Sequence, residues 1–494
     1  MTIGGCGIDG CAATRRGVTD MRFIGYNRRL VDNFCQSSFL CVNLHRSCFN
    51  FFSFSHINEM QMNTRILTSS LLLTLTAISL PAADDVWSYA ECVDYAKAHN
   101  ISLQKLRLNE QTADYNTEEA KAKWQPSLDF NTTHSYSNMP WGNSNKNTYN
   151  GQLGLNAGWT VWNGGEREKS IERNKLNSEI SHLDTADALR TLETDLLQVY
   201  LNILYARESI LIYEEAEKLS AAQAERMKAL MEAGRASRVD YAQLKAQHEQ
   251  DQYNLVNARG TYDTRRMELK KLLELGIDHE VELADVEITA REILAQLPPI
   301  DESYRLAVDN DLQLQGLQLQ QEGADIDVDI AKAAGRPNIS LNAGVGTGYY
   351  APGGAFGTQL KQGWNENIGL SLSIPILDNK KTKTAVARAK IQQLSAQLDS
   401  DQRLTDLAQA VENWYIDTRS AQSRYEAAEQ QLESAKTSNE LTNEQFQLGL
   451  VNTIELMTAH NNLLEARQSL LQAKYMALLG RKMIEYYRTT KVTL

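Results

Sequence analysis

Side chains that could do chemistry are sparse in this 494-residue chain, and their spacing removes most of what they could do. The eight histidines stand singly, and no His or Cys pair has the short spacing of a metal site. His99, His134, His182, His248, His279 and His460 therefore read as solvated or packing residues. No glycine-rich loop opens a helix in the pattern that cradles a phosphate, and Gly164-Gly165 reads as a strand-to-helix turn. No enzymatic activity, cofactor or metal is expected. What stands out is a carboxylate placed twice in one setting. Asp240 closes Gly234-x4-Val-Asp and Glu455 closes Gly449-x4-Ile-Glu. Each falls in the first turn of a helix behind a glycine turn, where the helix dipole mildly favours an acid.

The two settings belong to a duplication. Residues 120–130 read AKAKWQPSLDF and residues 331–341 read AKAAGRPNISL, an offset of 211 positions. Further on, residues 161–164 (VWNG) match 376–379 (ILDN), and 230–234 (LMEAG) match 445–449 (QFQLG), both at an offset of 215. The stretch of roughly 70 residues between them thus has one length in both halves, and a copied unit constrains architecture more than local propensity does.

Each half, 84–300 and 301–494, has the same order of parts. A helical segment (86–123, then 304–334) is stopped by Pro126 or Pro337, since proline ends a helix and favours extended backbone before it. Strand patterns follow, in hairpins at about 126–162 and 337–377, separated by loops at 138–150 and 351–364. Leu153, Leu155, Ala157, Trp159 and Val161 alternate with small or polar residues, as do Ile368, Leu370, Leu372, Ile374 and Ile376. A period of two gives one apolar and one polar face, and ten residues is the length of a tilted membrane strand. Trp141, Trp159, Trp162, Tyr349, Tyr350 and Trp364 lie near hairpin ends, where amphipathic rings occupy membrane interfaces. Then come long proline-free runs with helical periodicity, 165–231 and 380–446, each about 100 Å as a helix. They turn at Gly234 and Gly449 and return over 239–275 and 454–487. Such rods form a coiled-coil hairpin, not a compact core; the helical hairpins span about 165–275 and 380–487.

Four strands cannot close a barrel, and an open strand edge in lipid leaves backbone groups unpaired at several kcal/mol each. The strands must be shared between copies, two giving eight and three giving twelve. A nutrient porin, which builds its barrel within one chain, does not fit; a periplasmic coiled-coil scaffold without a pore fits only if the strands avoid lipid.

Export is written at the front. Arg65, the apolar run 66–80 and Pro81-Ala82-Ala83 form a secretory signal, placing the expected signal peptide at 62–83 and the true start at Met60 or Met62. Residues 1–61, with five of the six cysteines and no structural period, read as a disordered upstream extension. The remainder has Cys92 alone, so no internal disulfide, and a formal net charge of −15 from 43 basic and 58 acidic residues. That balance argues against nucleic acid as a partner.

The duplicated order of helix, proline, strand hairpin and helical hairpin resembles the TolC-type outer-membrane efflux proteins. The resemblance rests on Trp-Thr-Val-Trp-Asn-Gly-Gly (159–165), Ile-Pro-Ile-Leu-Asp (374–378) and the two glycine–acid tips, and covers about 87–487. It implies a mainly α fold with a membrane β-barrel: a homotrimer whose twelve-stranded barrel, four strands per chain, continues into a long α-helical coiled-coil tunnel. A mixed belt would draw on 276–302 and the C-terminal tail. It further implies an exit duct in the outer membrane, surrounded by outer-membrane lipid and reaching into the periplasm. That duct would serve a tripartite pump or a type I secretion system, through a periplasmic adaptor (membrane fusion) protein and an inner-membrane RND or ABC transporter. Carried over by position, Asp240 and Glu455 would line the pore constriction, a ring of like charges that concentrates cations and repels anions. The tips, Gly234, Arg235 and Ala236 with Gly449, Leu450 and Val451, would meet the adaptor, glycine permitting close approach. Two positions depart from the family pattern. Thr458 replaces a second acid, and Val451 replaces a basic latch whose role Arg235 or Arg238 would have to take.

Overall fold

The computed structural model describes residues 86–141, 147–351, 353–492 and 494. The expected leader and the extension before it lie outside the described residues. In the first half, β1 (Val86–Trp87), α1 (Tyr89–His99) and α2 (Ile101–Ala122) precede β2 (Ser127–Asn138) and β3 (Asn147–Trp162). Helices α3 (Glu166–Glu232) and α4 (Arg238–Leu272) form the first long hairpin, and β4 (Glu282–Leu283) and α5 (Ala290–Ile293) bridge the halves. The second half has α6 (Ile300–Asn310), α7 (Leu312–Ala333), β5 (Asn338–Ala351), α8 (Phe356–Gln362), β6 (Asn365–Ser373), α9 (Lys381–Gln447) and α10 (Thr453–Thr489). Helices α3 and α9 are both 67 residues long, the equality that a constant offset demands.

Three local features depart from expectation. The opening helical segment of each half is two helices, broken at Asn100 and at Asp311, which are equivalent positions 211 apart. Each takes extended backbone, and each side chain accepts from the backbone N–H three residues on, Leu103 at 3.0 Å and Leu314 at 2.6 Å. One polar residue thus ends one helix and caps the next. Strand β6 stops at Ser373, short of the expected Ile376, because Pro375 has no N–H for a ladder. The second hairpin loop is not bare: it holds α8.

The core sits at mid-length of α3. Leu196, Leu197, Tyr200, Leu201, Ile203 and Leu204 pack against Tyr89 and Cys92 of α1, Leu269 and Leu273 at the end of α4, and Leu471, Tyr475 and Leu478 of α10. Each fully buried leucine contributes about 1.5–3 kcal/mol. The Tyr200 hydroxyl lies 3.2 Å from Trp87 O and 3.1 Å from Ala284 O, fastening the parallel β1–β4 pair to the long helix. Val492 and Leu494 pack on the same cluster.

Strands run in the order β2-β3-β5-β6, every pair antiparallel, so the two halves meet at β3–β5 and, among the described residues, no strand pairs with the outer edges of β2 and β6. Both strand-to-helix junctions use left-handed backbone. Gly164 and Gly165 have φ of 73° and 87°, and Asn379 and Lys380 have 51° and 68° at the equivalent places.

Candidate functional site

Residues directly opposite in an antiparallel sheet share a face, and the register sorts this sheet into two unlike surfaces. One face carries the rows Leu128–Ala157–Ala343–Ile368 and Trp159–Leu341–Leu370. The other carries Asp129–Asn156–Gly344–Asn367 and Asn131–Gly154–Gly346–Asn365. The apolar face is open: Leu128, Ile368 and Leu370 are 71%, 78% and 71% exposed. Asp129 is the one charged residue among the described strand residues of the polar face.

Aromatic rings mark both ends of the apolar face. At the helix end, Trp159 donates its indole N–H to Trp124 O at 2.9 Å, and Trp162 stands opposite Ile339 beyond a bulge. At the far end Tyr349 packs with Tyr149 and His134, its hydroxyl 3.2 Å from His134 Nδ1. The Tyr349 ring lies over Gly151, where a Cβ would come within 2.3 Å of it, so a larger residue there would displace the ring. Ten residues separate Ile339 from Tyr349, about 33 Å of strand, or roughly 25 Å of height at a tilt near 40°, the thickness of a membrane barrel's apolar band. Trp141 and Trp364 lie beyond strand ends and are exposed. Tyr350 differs from its neighbour: it pairs with Asn150 and stands on the polar face.

At the opposite extremity the helical hairpins end in two matching turns. Gly234 and Gly449 have φ of 70° and 74°, and Arg235 N and Leu450 N donate back to Leu230 O (2.8 Å) and Gln445 O (2.9 Å). This is a Schellman turn, which needs left-handed backbone at the glycine. Each following helix is capped by its acid's neighbour three residues before. Ser237 Oγ accepts from Asp240 N at 3.0 Å and donates to Asp240 Oδ2 at 2.7 Å. Asn452 Oδ1 accepts from Glu455 N and its Nδ2 donates to Glu455 Oε1, both at 2.9 Å.

The two acids then diverge. Thr453, buried, donates to Asp240 Oδ1 at 3.2 Å and also contacts Gln243, so the first tip is tied to the second within one protomer. Hydrogen bonds, that from the Ser237 hydroxyl first, hold the Asp240 carboxyl below the usual carboxylate range. Glu455 is exposed and binds only its own cap among the described residues. A small cluster of Ala224, Met227, Leu244 and Leu456 packs beneath the tips. Among the described residues neither Arg235 nor Arg238 forms an ion pair, so the joint that the tips do have is Thr453 on Asp240. Thr458 turns back to Ile454 O at 2.8 Å. Leu450 is 72% exposed and Val451 half-buried.

Above the tips the seam between the hairpins is polar. Gln247 Nε2 reaches Asn461 Oδ1 and Asp251 Oδ1, both at 3.0 Å, and His460 Nε2 lies 3.0 Å from Asp251 Oδ2 with both side chains buried. His460 is thus a buried seam residue. His182 contacts Glu110 at 2.5 Å on the surface, and no group of metal-ligating side chains forms among the described residues.

The pattern described as Outer membrane efflux protein matches residues 92–274 and 303–479, one block in each half. The chain belongs to the outer membrane efflux protein family. It is similar to the alkaline protease secretion protein AprF of Pseudomonas aeruginosa, 23% identical over 59% of this chain and 60% of that protein, so that the match leaves two fifths of AprF uncovered. It is similar to the outer membrane protein TolC of Escherichia coli, 22% identical over 83% of this chain and 84% of that protein. Among solved structures it superposes on CusC with a TM-score of 0.69 at 19% identity, covering 81% of this chain and 91% of that one. On VceC of Vibrio cholerae the TM-score is 0.66 at 15% identity, covering 80% and 95%. As a member of this family the chain is an outer-membrane transport protein that extends into the periplasm.

Proposed function

We propose that three copies of this chain form the outer-membrane exit duct of a tripartite efflux pump or type I secretion system. The observation that carries this is the sheet: two free edges and one continuous apolar face, a surface stable in lipid only when the edges are paired by further copies. Two copies would give eight strands, whose interior side chains fill; three give twelve, wide enough for a conduit. The apolar rows face lipid, with Trp159 and Trp162 at one interface and Tyr349, Trp141 and Trp364 at the other. The amide-rich rows, with Tyr350, face the lumen. Helices α3, α4, α9 and α10 continue the barrel as a periplasmic tunnel, and transport energy comes from an inner-membrane RND or ABC transporter.

Asp240 and Glu455 line the narrow mouth, six carboxylates in a trimer that favour cations. Glu455, exposed and tied only to its cap, carries more of that field than Asp240, whose oxygens are engaged. The tips Gly234–Ala236 and Gly449–Val451 are where a periplasmic adaptor docks, since Leu448 and Leu450 stand 75% and 72% exposed beside them. Single-channel recording of Glu455→Gln tests the mouth: cation preference falls, and unchanged selectivity removes Glu455 from the pore. Cysteines at Ala236 and Leu450 that fail to crosslink to the adaptor while transport persists would refute the docking assignment.

A further inference from the structure

We infer that α8, in the loop between β5 and β6, is a membrane-interface element that lies in the outer leaflet's headgroup boundary and does not cover the lumen. The inference rests on the barrel reading, which makes the apolar face of the sheet the lipid side. Three contacts place α8 on that side. Phe356 packs edge-on against Tyr349, ring centroids 4.8 Å apart, and Tyr349 belongs to the apolar face. Thr347, in line with Tyr349 and Leu153 on that face, donates to Leu360 O at 2.6 Å. Trp364, just past α8, donates its indole N–H to Glu366 at 3.0 Å, and Glu366 stands opposite Val345 in an apolar row.

The edge geometry explains why the helix is there. Strand β6 begins at Asn365 opposite Gly346, so β5 runs on for five residues without that neighbour. Gln359 fills part of the gap: its Oε1 accepts from Tyr350 N at 2.6 Å and its Nε2 donates to Gly354 O at 2.6 Å. Gly363 lies so near Gly348 that a Cβ there would meet its backbone O at 3.0 Å. A short helix thereby covers a strand edge where lipid would otherwise meet open backbone groups.

Position along the strand sets the depth. Tyr349 is at the rim remote from the helical tunnel, the outer surface for a family member that reaches into the periplasm. Phe356, packed on Tyr349, and Trp364, next to the Asn365–Gly346 pair, are each 57% exposed and widen the aromatic band at this rim. Lys361 is exposed on the same short helix, the composition of a segment lying in an interface with its cation among anionic headgroups. The partner is therefore an anionic lipid surface.

Nitroxide labels at single cysteines test this in the full chain, reconstituted in vesicles containing phosphatidylglycerol. Cys92 is replaced by Ala and the upstream cysteines by Ser. Labels replace Phe356, Lys361, Ile368 on the apolar face and Asn367 on the polar face, and relaxation by oxygen is compared with relaxation by a water-soluble nickel chelate. Phe356→Cys is expected to match Ile368→Cys, with an oxygen-to-nickel ratio several-fold above Asn367→Cys, and Lys361→Cys to fall between them. A ratio at position 356 equal to that at 367, with 368 lipid-exposed, overturns the placement of α8 alone. Equal aqueous ratios at 356, 367 and 368 overturn the barrel reading and this inference with it. As a second measurement, Lys361→Glu should lower the oxygen-to-nickel ratio at a Phe356→Cys label in phosphatidylglycerol vesicles and not in neutral ones; an equal ratio in both removes the headgroup contact.

Discussion

The buried Asp251–His460 pair should control how firmly the two helical hairpins hold together above the tips. Its side chains are 0% and 4% exposed, Oδ2 and Nε2 are 3.0 Å apart, and Gln247 occupies the other carboxylate oxygen. His460→Ala leaves Asp251 Oδ2 without its partner in a site that water does not reach. Removing one member of a buried pair costs about 3–5 kcal/mol, because the survivor stays buried and uncompensated. At 1.4 kcal/mol per tenfold, the lower figure alone is about 150-fold in a local opening equilibrium. Replacing both residues with leucine should cost less, since no unpaired carboxylate stays buried and the Gln247 amide keeps Asn461 as an acceptor.

Hydrogen exchange of the assembled protein in detergent reads this directly. Amides of α4 near Gln247–Leu255 and of α10 near Leu456–Leu463 should exchange at least about a hundredfold faster in His460→Ala. Exchange at the core around Tyr200 should stay unchanged, because that cluster is packed independently by α1 and the end of α4. The double leucine variant should return most of the protection. If the single variant exchanges less than tenfold faster, or the double variant is as loose as the single one, the pair does not fasten the seam.

Three further outcomes follow from other parts of the molecule. Lys380→Gly should stabilise the second strand-to-helix junction by up to about 1 kcal/mol, read as a raised thermal midpoint, because lysine is held at φ 68° where glycine is free of strain; Gly164→Ala should do the reverse, since its Cβ would lie 2.7 Å from Ala333 O. Gly151→Val should lower the yield of folded protein in the membrane by evicting the Tyr349 ring, an overpacking cost of roughly 1–3 kcal/mol, and Tyr349→Ala in the same chain should recover it. Asp240 titrates below its unfolded value, so its contribution to the tip is complete above the ordinary carboxylate range and is lost as pH falls through the lowered value; protection at Thr453 and its neighbours, corrected for the intrinsic exchange rate at each pH, should fall at acid pH in the native chain and not in Asp240→Asn.

How much of this was legible in the sequence depends on the range of the interaction involved. Periods of two and of 3.6 are local, so the strand patterns and the long helices could be read from neighbouring residues. The same period also forbids Tyr349 and Tyr350 from sharing a face, so only one of the two can belong to the aromatic band on the apolar side. The breaks at Asn100 and Asp311 left only a weak mark, one capping-type residue in an otherwise helical run, although their equal place in the two halves was a signal in the repeat itself. Contacts such as Thr453 on Asp240 or His460 on Asp251 join residues 213 and 209 positions apart, and nothing local announces them.

Those long-range contacts change what the duplication means. Asp240 and Glu455 occupy equivalent positions, each the third residue of a helix behind a glycine turn, and symmetry alone would give them one role. The residues that face them are not equivalent. Thr453 opens the second helix and reaches across to Asp240, whereas its counterpart in the first half, Arg238, is exposed and makes no such return to Glu455. One copy of the acid therefore spends its hydrogen-bonding capacity holding two tips together, and the other is engaged by its own cap, Asn452, alone among the described residues. A charge that is already satisfied is a poor attractor for a passing ion, while an exposed one is not. On the proposed pore reading the duplicated motif would supply a fastener and a filter from a single pattern, and substituting the two acids should separate them: loosened tips from Asp240→Asn, altered ion preference from Glu455→Gln.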